Sequence, residues 1–271
     1  TSGASVYFSD IQVDSTFHAY AFYNKNNVLM DHFYTPIYNG YKDASGKMRS
    51  ISGKALSFSL SGQAEITACK ANGDGWYTEC IVDRMLINML LLLISKSTST
   101  QSIFGQGMTS GSESAMKAYL TGSLDTKGMF FGYNATDKAV KVFGMENYWG
   151  CQWRRHAGMI QKGGKAYYKL TRGTVDGSTA TDFNTDGTGY IEHSGSLSAD
   201  SGWQSTQAFD ANLIIPSGVG ASDATHMCDY YYVNTNATTY ALIGGDSDGG
   251  SYCGAFDLIL SNGVSGAGWD I

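Results

Sequence analysis

Only one stretch of this chain carries the pattern of a long helix. Across residues 76–97, Ile81, Met85, Met89 and Leu92 or Leu93 recur at helical spacing, with apolar side chains almost all round the axis. The apolar run 85–94, broken only by Asn88, directly follows Asp83 and Arg84 and is too short to span a bilayer. A buried core helix near 78–96, capped around Thr78, is therefore expected. Elsewhere the chain is punctuated: 34 Gly and 2 Pro against 13% aromatic residues favour short strands and tight turns. With 42% hydrophobic residues a core is affordable and disorder is excluded. The expected class is α+β, with mixed short strands, one buried helix and long structured loops.

Strand-like runs of β-branched and aromatic residues fall at 5–11, 17–23 and 28–34, split by Asp-Ser and Asn-Asn turns. They predict hairpins in an N-terminal region, 1–47, that is either part of the main domain or a small subdomain. Further strands are predicted at 128–132, 139–143, 166–171, 230–234, 239–243 and 255–261, and a short helix at 113–120. Residues 173–216 are polar and glycine-punctuated and are expected to form one long loop. No repeat or linker divides the chain, so residues 1–271 are expected to be a single domain.

From 228 to 268 there is not one Lys, Arg, Glu, Gln, Met, Trp, His or Pro. Tyr, Ser, Gly, Asn and Asp alternate there with small apolar residues. Binding loops use this alphabet, because tyrosine offers a rigid half-polar surface and Ser, Gly and Asn supply adaptable hydrogen bonds. Small polar loop residues of a Gly-rich β domain would look similar. All 18 Lys and Arg lie at or before Arg172, whereas half of the 24 acids follow it. A base-free, acidic C-terminal third repels phosphate, which argues against nucleic acid and anionic membrane as partners of that surface.

Chemistry-bearing patterns are sparse. The five cysteines, Cys69, Cys80, Cys151, Cys228 and Cys253, are odd in number and form no CxxC pair, so buried free thiols are expected. The five histidines show no metal-ligand spacing, and no Ser-His-Asp order, nucleophile elbow or P-loop is present. Asp182, Asn184 and Asp186 alternate as calcium ligands do, although the closing acid, Glu192, falls one position early; a series of Asx turns is the alternative. The segment 142–154 is the densest cluster of Trp, Asn, Glu and Gly. There Glu146, Asn147, Trp149 and Trp153 are expected to knot loops together through side-chain to backbone bonds, with catalysis by Glu146 as the alternative.

That segment, Gly144-Met145-Glu146-Asn147-Tyr148-Trp149-Gly150-Cys151-Gln152-Trp153-Arg154-Arg155, resembles the pattern G-M-E-N-x-W-G-N-x-W-R-R of variable proteins from phage and bacterial diversity-generating retroelements. Cys151 stands where that pattern has Asn. Met48 to Lys54, Gly73-Asp74-Gly75-Trp76-Tyr77, Asp83 to Asn88, Leu170 to Thr181, Tyr240 to Gly245 and Cys253 to Phe256 fit the same group in order, so the resemblance spans about residues 48–271. It implies a C-type lectin-like fold of the formylglycine-generating-enzyme type and a non-enzymatic receptor-recognition protein or adhesin on a phage tail or bacterial surface. The implied partner is a host cell-surface protein or glycan, without membrane insertion; a homo-oligomer in the tail or surface assembly is compatible, and no cofactor beyond the calcium candidate is implied.

In that family adenine-specific mutagenic reverse transcription rewrites the C-terminal segment, and the resulting codons cannot encode Lys, Glu, Gln, Met or Trp, all missing from 228–268 here. The positions matching the variable ones are Asp246, Asp248, Gly249, Tyr252, Asp257, Ile259, Ser261, Gly266 and Gly268. Ser247, Ser251 and the run Tyr230-Tyr231-Tyr232 join them as candidates, with Tyr230, Tyr232 and Tyr252 as anchors. Two rivals remain: a copper oxidase of the formylglycine-generating type using Cys228 and Cys253, and a structural virion or pilus component whose Tyr/Asp-rich tail is buried against a neighbour.

Overall fold

The computed structural model describes residues 9, 11–15, 20–24, 26, 28–132, 139–170, 187–210, 213–263 and 265–266. They form a mixed α/β architecture dominated by one eight-stranded sheet with few helices. Two short hairpins stand apart from it. The first pairs β1 (Tyr41–Lys42) with β2 (Met48–Arg49), and the second pairs β3 (Lys141–Val142) with β4 (Met145–Glu146). The second turns through Phe143 and Gly144, both at positive φ, as a two-residue hairpin with the right strand twist demands.

The large sheet comprises β5 (Arg154–Lys162), β6 (Lys165–Tyr168), β7 (Ile191–Glu192), β8 (Gly202–Phe209), β9 (Ile214–Val219), β10 (Tyr230–Val233), β11 (Thr239–Ile243) and β12 (Leu258–Asn262). Their order is β7-β6-β5-β11-β12-β10-β8-β9. Every neighbouring pair is antiparallel except β10 and β12. That one parallel pair matters for position: it sets the starts of β10 and β12 side by side, at the end of the sheet where the loop from β11 to β12 crosses.

Four helices accompany the sheet: α1 (Gly62–Lys70), α2 (Ile81–Ser95), α3 (Thr100–Phe104) and α4 (Glu113–Ala118). The long helix is α2, within the predicted 78–96, but its cap is Cys80 and not Thr78. The Cys80 amide donates to Asp83 Oδ2 at 3.3 Å, and Lys96 ends the helix in the left-handed conformation, φ 52°. Its buried face also differs from the apolar stripe in the sequence. Ile81, Arg84, Ile87, Asn88 and Leu91 are buried, Met85 and Met89 are half-buried, and Leu93 and Ile94 are exposed. The polar pair rotates the helix, because Arg84 and Asn88 serve backbone carbonyls inside the fold. Arg84 Nη1 donates to the Tyr148 carbonyl and Nη2 to that of Ala255, each at 3.1 Å; Asn88 Nδ2 reaches the same Ala255 oxygen at 2.7 Å.

Strands β3, β10 and β11 lie within their predicted segments; β6 starts one residue before the predicted 166–171, β12 runs one residue past the predicted 255–261, and the short helix covers most of 113–120. The long loop of 173–216 is corrected in its described part: 173–186 lie outside the described residues, and 187–210 with 213–216 form β7, β8 and the start of β9. Pro216 is tolerated there because β9 is a sheet edge. Of the predicted N-terminal runs, 5–8, 10 and 17–19 lie outside the described residues. The rest holds a 3-10 turn at Tyr20–Phe22 and one antiparallel bridge, Tyr23 to Leu29, flanked by the Asn24 amide on the Val28 carbonyl and the Met30 amide on that of Phe22, so the hairpin predicted between 17–23 and 28–34 is reduced to a single bridge. Asn24 Oδ1 accepts from the amides of Asn26 and Val28, so the side chain substitutes for a strand partner. At 128–132 only Phe131 bridges, to Lys141.

Truncating the buried guanidinium takes the Arg84 donor from the Tyr148 carbonyl, leaves the Ala255 carbonyl to Asn88 alone, and removes the cation next to the buried acids. Arg84→Ala is expected to destabilise the fold by about 3–5 kcal/mol, against less than about 0.5 kcal/mol for Leu93→Ser on the exposed end, as read from urea unfolding midpoints.

Candidate functional site

Strand β10 alternates. Tyr231 faces the core, fully buried, and its hydroxyl donates to the Ser198 carbonyl at 3.4 Å. Tyr230 and Tyr232, two residues apart, share the opposite face. Trp203 on β8 lies directly across from Tyr230, and the 3-10 turn Gly250–Tyr252 brings a third tyrosine onto them. Ring centroids are 4.4 Å apart for Tyr230 and Tyr252, 4.5 Å for Tyr230 and Tyr232, 5.0 Å for Trp203 and Tyr252, and 5.4 Å for Trp203 and Tyr230. These are separations at which aromatic pairs attract. Tyr252 is 40% exposed and crowns the group; the other three are half-buried.

The structure therefore brings together the three expected tyrosine anchors and adds Trp203. A lone Trp in a polar stretch gave no signal of its own. Only the pairing of β8 with β10 places it.

The other expected contacts divide by position. Asp248 is exposed, and Ser251 is half-buried in the turn beside Tyr252. Ile259 and Ser261 take the outward face of β12 while Leu258 and Leu260 are buried, and Ile259 pairs with Tyr232. Ser247 and Asp257 are fully buried, and Asp246 is 8% exposed. Ser247 is an anchor for the loop: its hydroxyl donates to the Ser112 carbonyl at 2.9 Å, and its carbonyl accepts from the Gly111 amide. At Gly249 an added Cβ would lie 2.6 Å from Cys253 Sγ, so that position faces inward. Gly266 is engaged elsewhere, its carbonyl accepting from Arg155 Nη2 at 3.0 Å. Gly268 and the calcium candidates Asp182, Asn184 and Asp186 lie outside the described residues.

The 144–155 motif holds the loops beneath. Glu146 Oε1 accepts from the Gly122 amide at 2.9 Å and from the Tyr119 hydroxyl, and Oε2 accepts from the Leu124 amide at 3.0 Å. Trp149 Nε1 donates to the Gly105 carbonyl at 3.1 Å, and Trp153 Nε1 to Asp246 Oδ2 at 3.0 Å. Asn147 and Cys151 both have left-handed backbone, φ 52° and 66°. Asn adopts that conformation far more readily than Cys. Gly245, at φ +82°, is packed so closely that a Cβ would fall 2.1 Å from Cys253 Sγ.

Three carboxylates sit behind the rings. Asp229 Oδ2 accepts from the Phe256 amide at 2.7 Å, whereas neither oxygen of Asp257 finds a well-formed hydrogen bond. Burial, then the neighbouring Asp229 and Asp246, holds Asp257 far above the usual carboxylate range, and burial does the same to Asp229. Asp246 is pushed up to about 6 by burial and by Asp248. Burial, then Asp257 and the adjacent tyrosines, raises Tyr232. Arg84 is the cation that offsets Asp229 and Asp257, and its terminal nitrogens already serve carbonyls.

All five cysteines are buried free thiols. Cys228 Sγ points to the His226 carbonyl and Cys253 Sγ to that of Asp246, each at 3.5 Å. Among the described residues, no group of three or more His, Cys, Asp or Glu side chains is arranged to hold a metal ion, and no helix is long and apolar enough to cross a membrane. A cleft of about 1050 Å³ opens between residues 24–40 and the Gly73 to Glu79 turn; Trp153 forms part of its wall. Models of known protein families and curated proteins yield no match to this chain.

Asp246 titrates higher in the folded chain than its ordinary 3.8, so its contribution to stability is fully present at low pH and is lost as pH rises through about 6. Asp246→Asn keeps an oxygen for Trp153 and removes the charge. The variant is expected to gain stability over the wild type progressively between about pH 4 and 6, and to keep that advantage at pH 7, in parallel thermal melts across that range.

Proposed function

We propose that this protein is a recognition protein without catalytic chemistry: a C-type lectin-like variable protein of the diversity-generating-retroelement class, acting as a phage-tail receptor-binding protein or bacterial adhesin. Its partner is a host cell-surface protein or glycan. The rigid part is the sheet, α2 and the 144–155 motif; the displayed part is β10, β12 and the loop between β11 and β12.

One observation carries this reading. Outward side chains from three separate segments, Trp203, Tyr230 with Tyr232, and Tyr252, converge in one aromatic surface on an otherwise base-free third of the chain. Aromatic residues of this kind anchor protein interfaces, because they bring large contact area at low entropic cost. Exposed Asp248 and half-exposed Ser251, Ile259 and Ser261 flank them, so side chains there change without disturbing the core. The left-handed backbone at Cys151 adds support, since the resembled pattern has Asn there.

Sequencing the 3′ end of the gene across a natural population tests the reading. Substitutions are expected to concentrate at Tyr230, Tyr232, Asp248, Tyr252, Ile259 and Ser261, to spare Tyr231, Leu258 and Leu260, and to trace to adenines in a nearby template repeat. Variation spread evenly over inward and outward positions, with no repeat, would refute it.

A further inference from the structure

The aromatic surface joins four rings, Trp203, Tyr230, Tyr232 and Tyr252, and it lacks a feature that several other rings of the chain have. Cations of this chain lie over Tyr41, Phe58, Phe131, Tyr148, Tyr190 and Tyr240. Over Trp203, Tyr230, Tyr232 and Tyr252 the described residues place none. No hydrogen bond within the described residues occupies the hydroxyls of these three tyrosines either, in contrast to the buried Tyr231 and Tyr240.

The electrostatics around the rings are one-sided. Asp248 is exposed at the edge of the turn that carries Tyr252, Asp246 lies behind it, and Asp257 and Asp229 lie deeper. No Lys or Arg occurs after Arg172, and Arg84, the cation that acts on Asp229 and Asp257, is already committed to backbone carbonyls. Ring faces are themselves negative, so a positive group over them gains from the quadrupole and from the carboxylates together. Asp257 is buried without a well-formed hydrogen bond, and a cation supplied from outside reduces the cost of its burial.

The flanking carboxylate selects among cations. A quaternary ammonium could lie over the rings but has no N–H to give Asp248. A guanidinium stacks its plane on an aromatic face and still presents N–H groups at its edge to a carboxylate. Resting on the reading of this surface as the recognition face, we propose that Trp203, Tyr230, Tyr232 and Tyr252, with Asp248 beside them, bind an arginine side chain of a protein partner. The guanidinium plane rests on Tyr252 and its edge donates to Asp248. Specificity then comes from whatever flanks that arginine on the partner, against the side chains at Ser251, Ile259 and Ser261.

The test titrates the full chain with acetyl-(Gly-Arg)4-amide, its lysine and citrulline counterparts, choline and a neutral maltohexaose, followed by intrinsic fluorescence and calorimetry at fixed ionic strength. The arginine peptide is expected to bind at least about tenfold more tightly than the citrulline peptide, which keeps the shape and loses the charge, and more tightly than the lysine peptide. Tyr252→Leu keeps apolar bulk without the ring and should weaken the arginine peptide about fivefold, as should Asp248→Asn. Glu113→Gln, which removes a half-buried acid paired with Lys117 on α4, should leave it unchanged; equal weakening there would mean diffuse charge attraction and overturn the proposal. So would citrulline binding as well as arginine, or choline matching the arginine peptide. Maltohexaose binding that is lost in Tyr252→Leu, without preference for arginine, would overturn the cation inference and leave the recognition surface standing. If no probe responds to Tyr252→Leu, the proposal falls and the recognition reading loses the observation that carries it.

Discussion

One buried guanidinium joins the three parts of this fold that have least reason to stay together. Arg84 sits on α2, yet its two terminal nitrogens end on the carbonyls of Tyr148, in the Trp/Asn/Glu/Gly motif, and Ala255, in the loop before β12. Its carbon centre lies 3.8 Å from the Tyr148 ring centroid, and the Tyr148 hydroxyl closes the circuit by donating to Asn88 at 3.1 Å. Helix, knot and loop are thus cross-braced by polar bonds in a setting where water does not compete. The same charge is the internal counterweight to Asp229 and Asp257. Fixing the loop and tempering the acids beneath it are one job done by one side chain.

From there the architecture of the surface follows from topology. Because β10 and β12 run parallel, their first residues meet beside the loop from β11, and β8 adds Trp203 from the far side. Strand alternation sends Tyr231, Leu258 and Leu260 inward and leaves Tyr230, Tyr232, Ile259 and Ser261 outward. The loop itself is held from below by Trp153 on Asp246 and by Ser247 on Ser112. A surface of rigid rings on a braced loop loses little entropy on binding.

Much of this was legible in the sequence, and the failures share a cause. Strands rich in Tyr, Val, Ile and Leu, such as β10, β11 and β12, declare themselves through composition. Strand β5 does not, because Arg154, Arg155, His156 and Gln161 interrupt its apolar text. Burial of those residues is made tolerable by partners far away in the sequence: Arg155 pairs with Glu65, and His156 meets Glu79 at 3.2 Å. The phase of α2 was misleading for the same reason. Arg84 and Asn88 look like the solvent side of a helix until the carbonyls they serve are in view. Strand β8 hid in polar text, and of the N-terminal runs with strand composition the described part pairs through a single bridge, Tyr23 to Leu29. Tyrosine anchors could be read from the alphabet of the C-terminal segment, but Trp203 could not, since only tertiary pairing brings it to them.

The five thiols have a consequence of a different kind. Burial pushes Cys69 up to about 11 and Cys151 up to about 12, and raises Cys228 and Cys253 as well. Thiolate, the reactive form, is therefore scarce at Cys69, Cys151, Cys228 and Cys253 while the chain is closed. Each thiol becomes available only when its own neighbourhood opens: Cys69 with α1, Cys151 with the knot, Cys253 with the loop under the rings. The chain thus carries a set of silent chemical clocks, one per region, whose rates of alkylation rank the order in which its parts breathe.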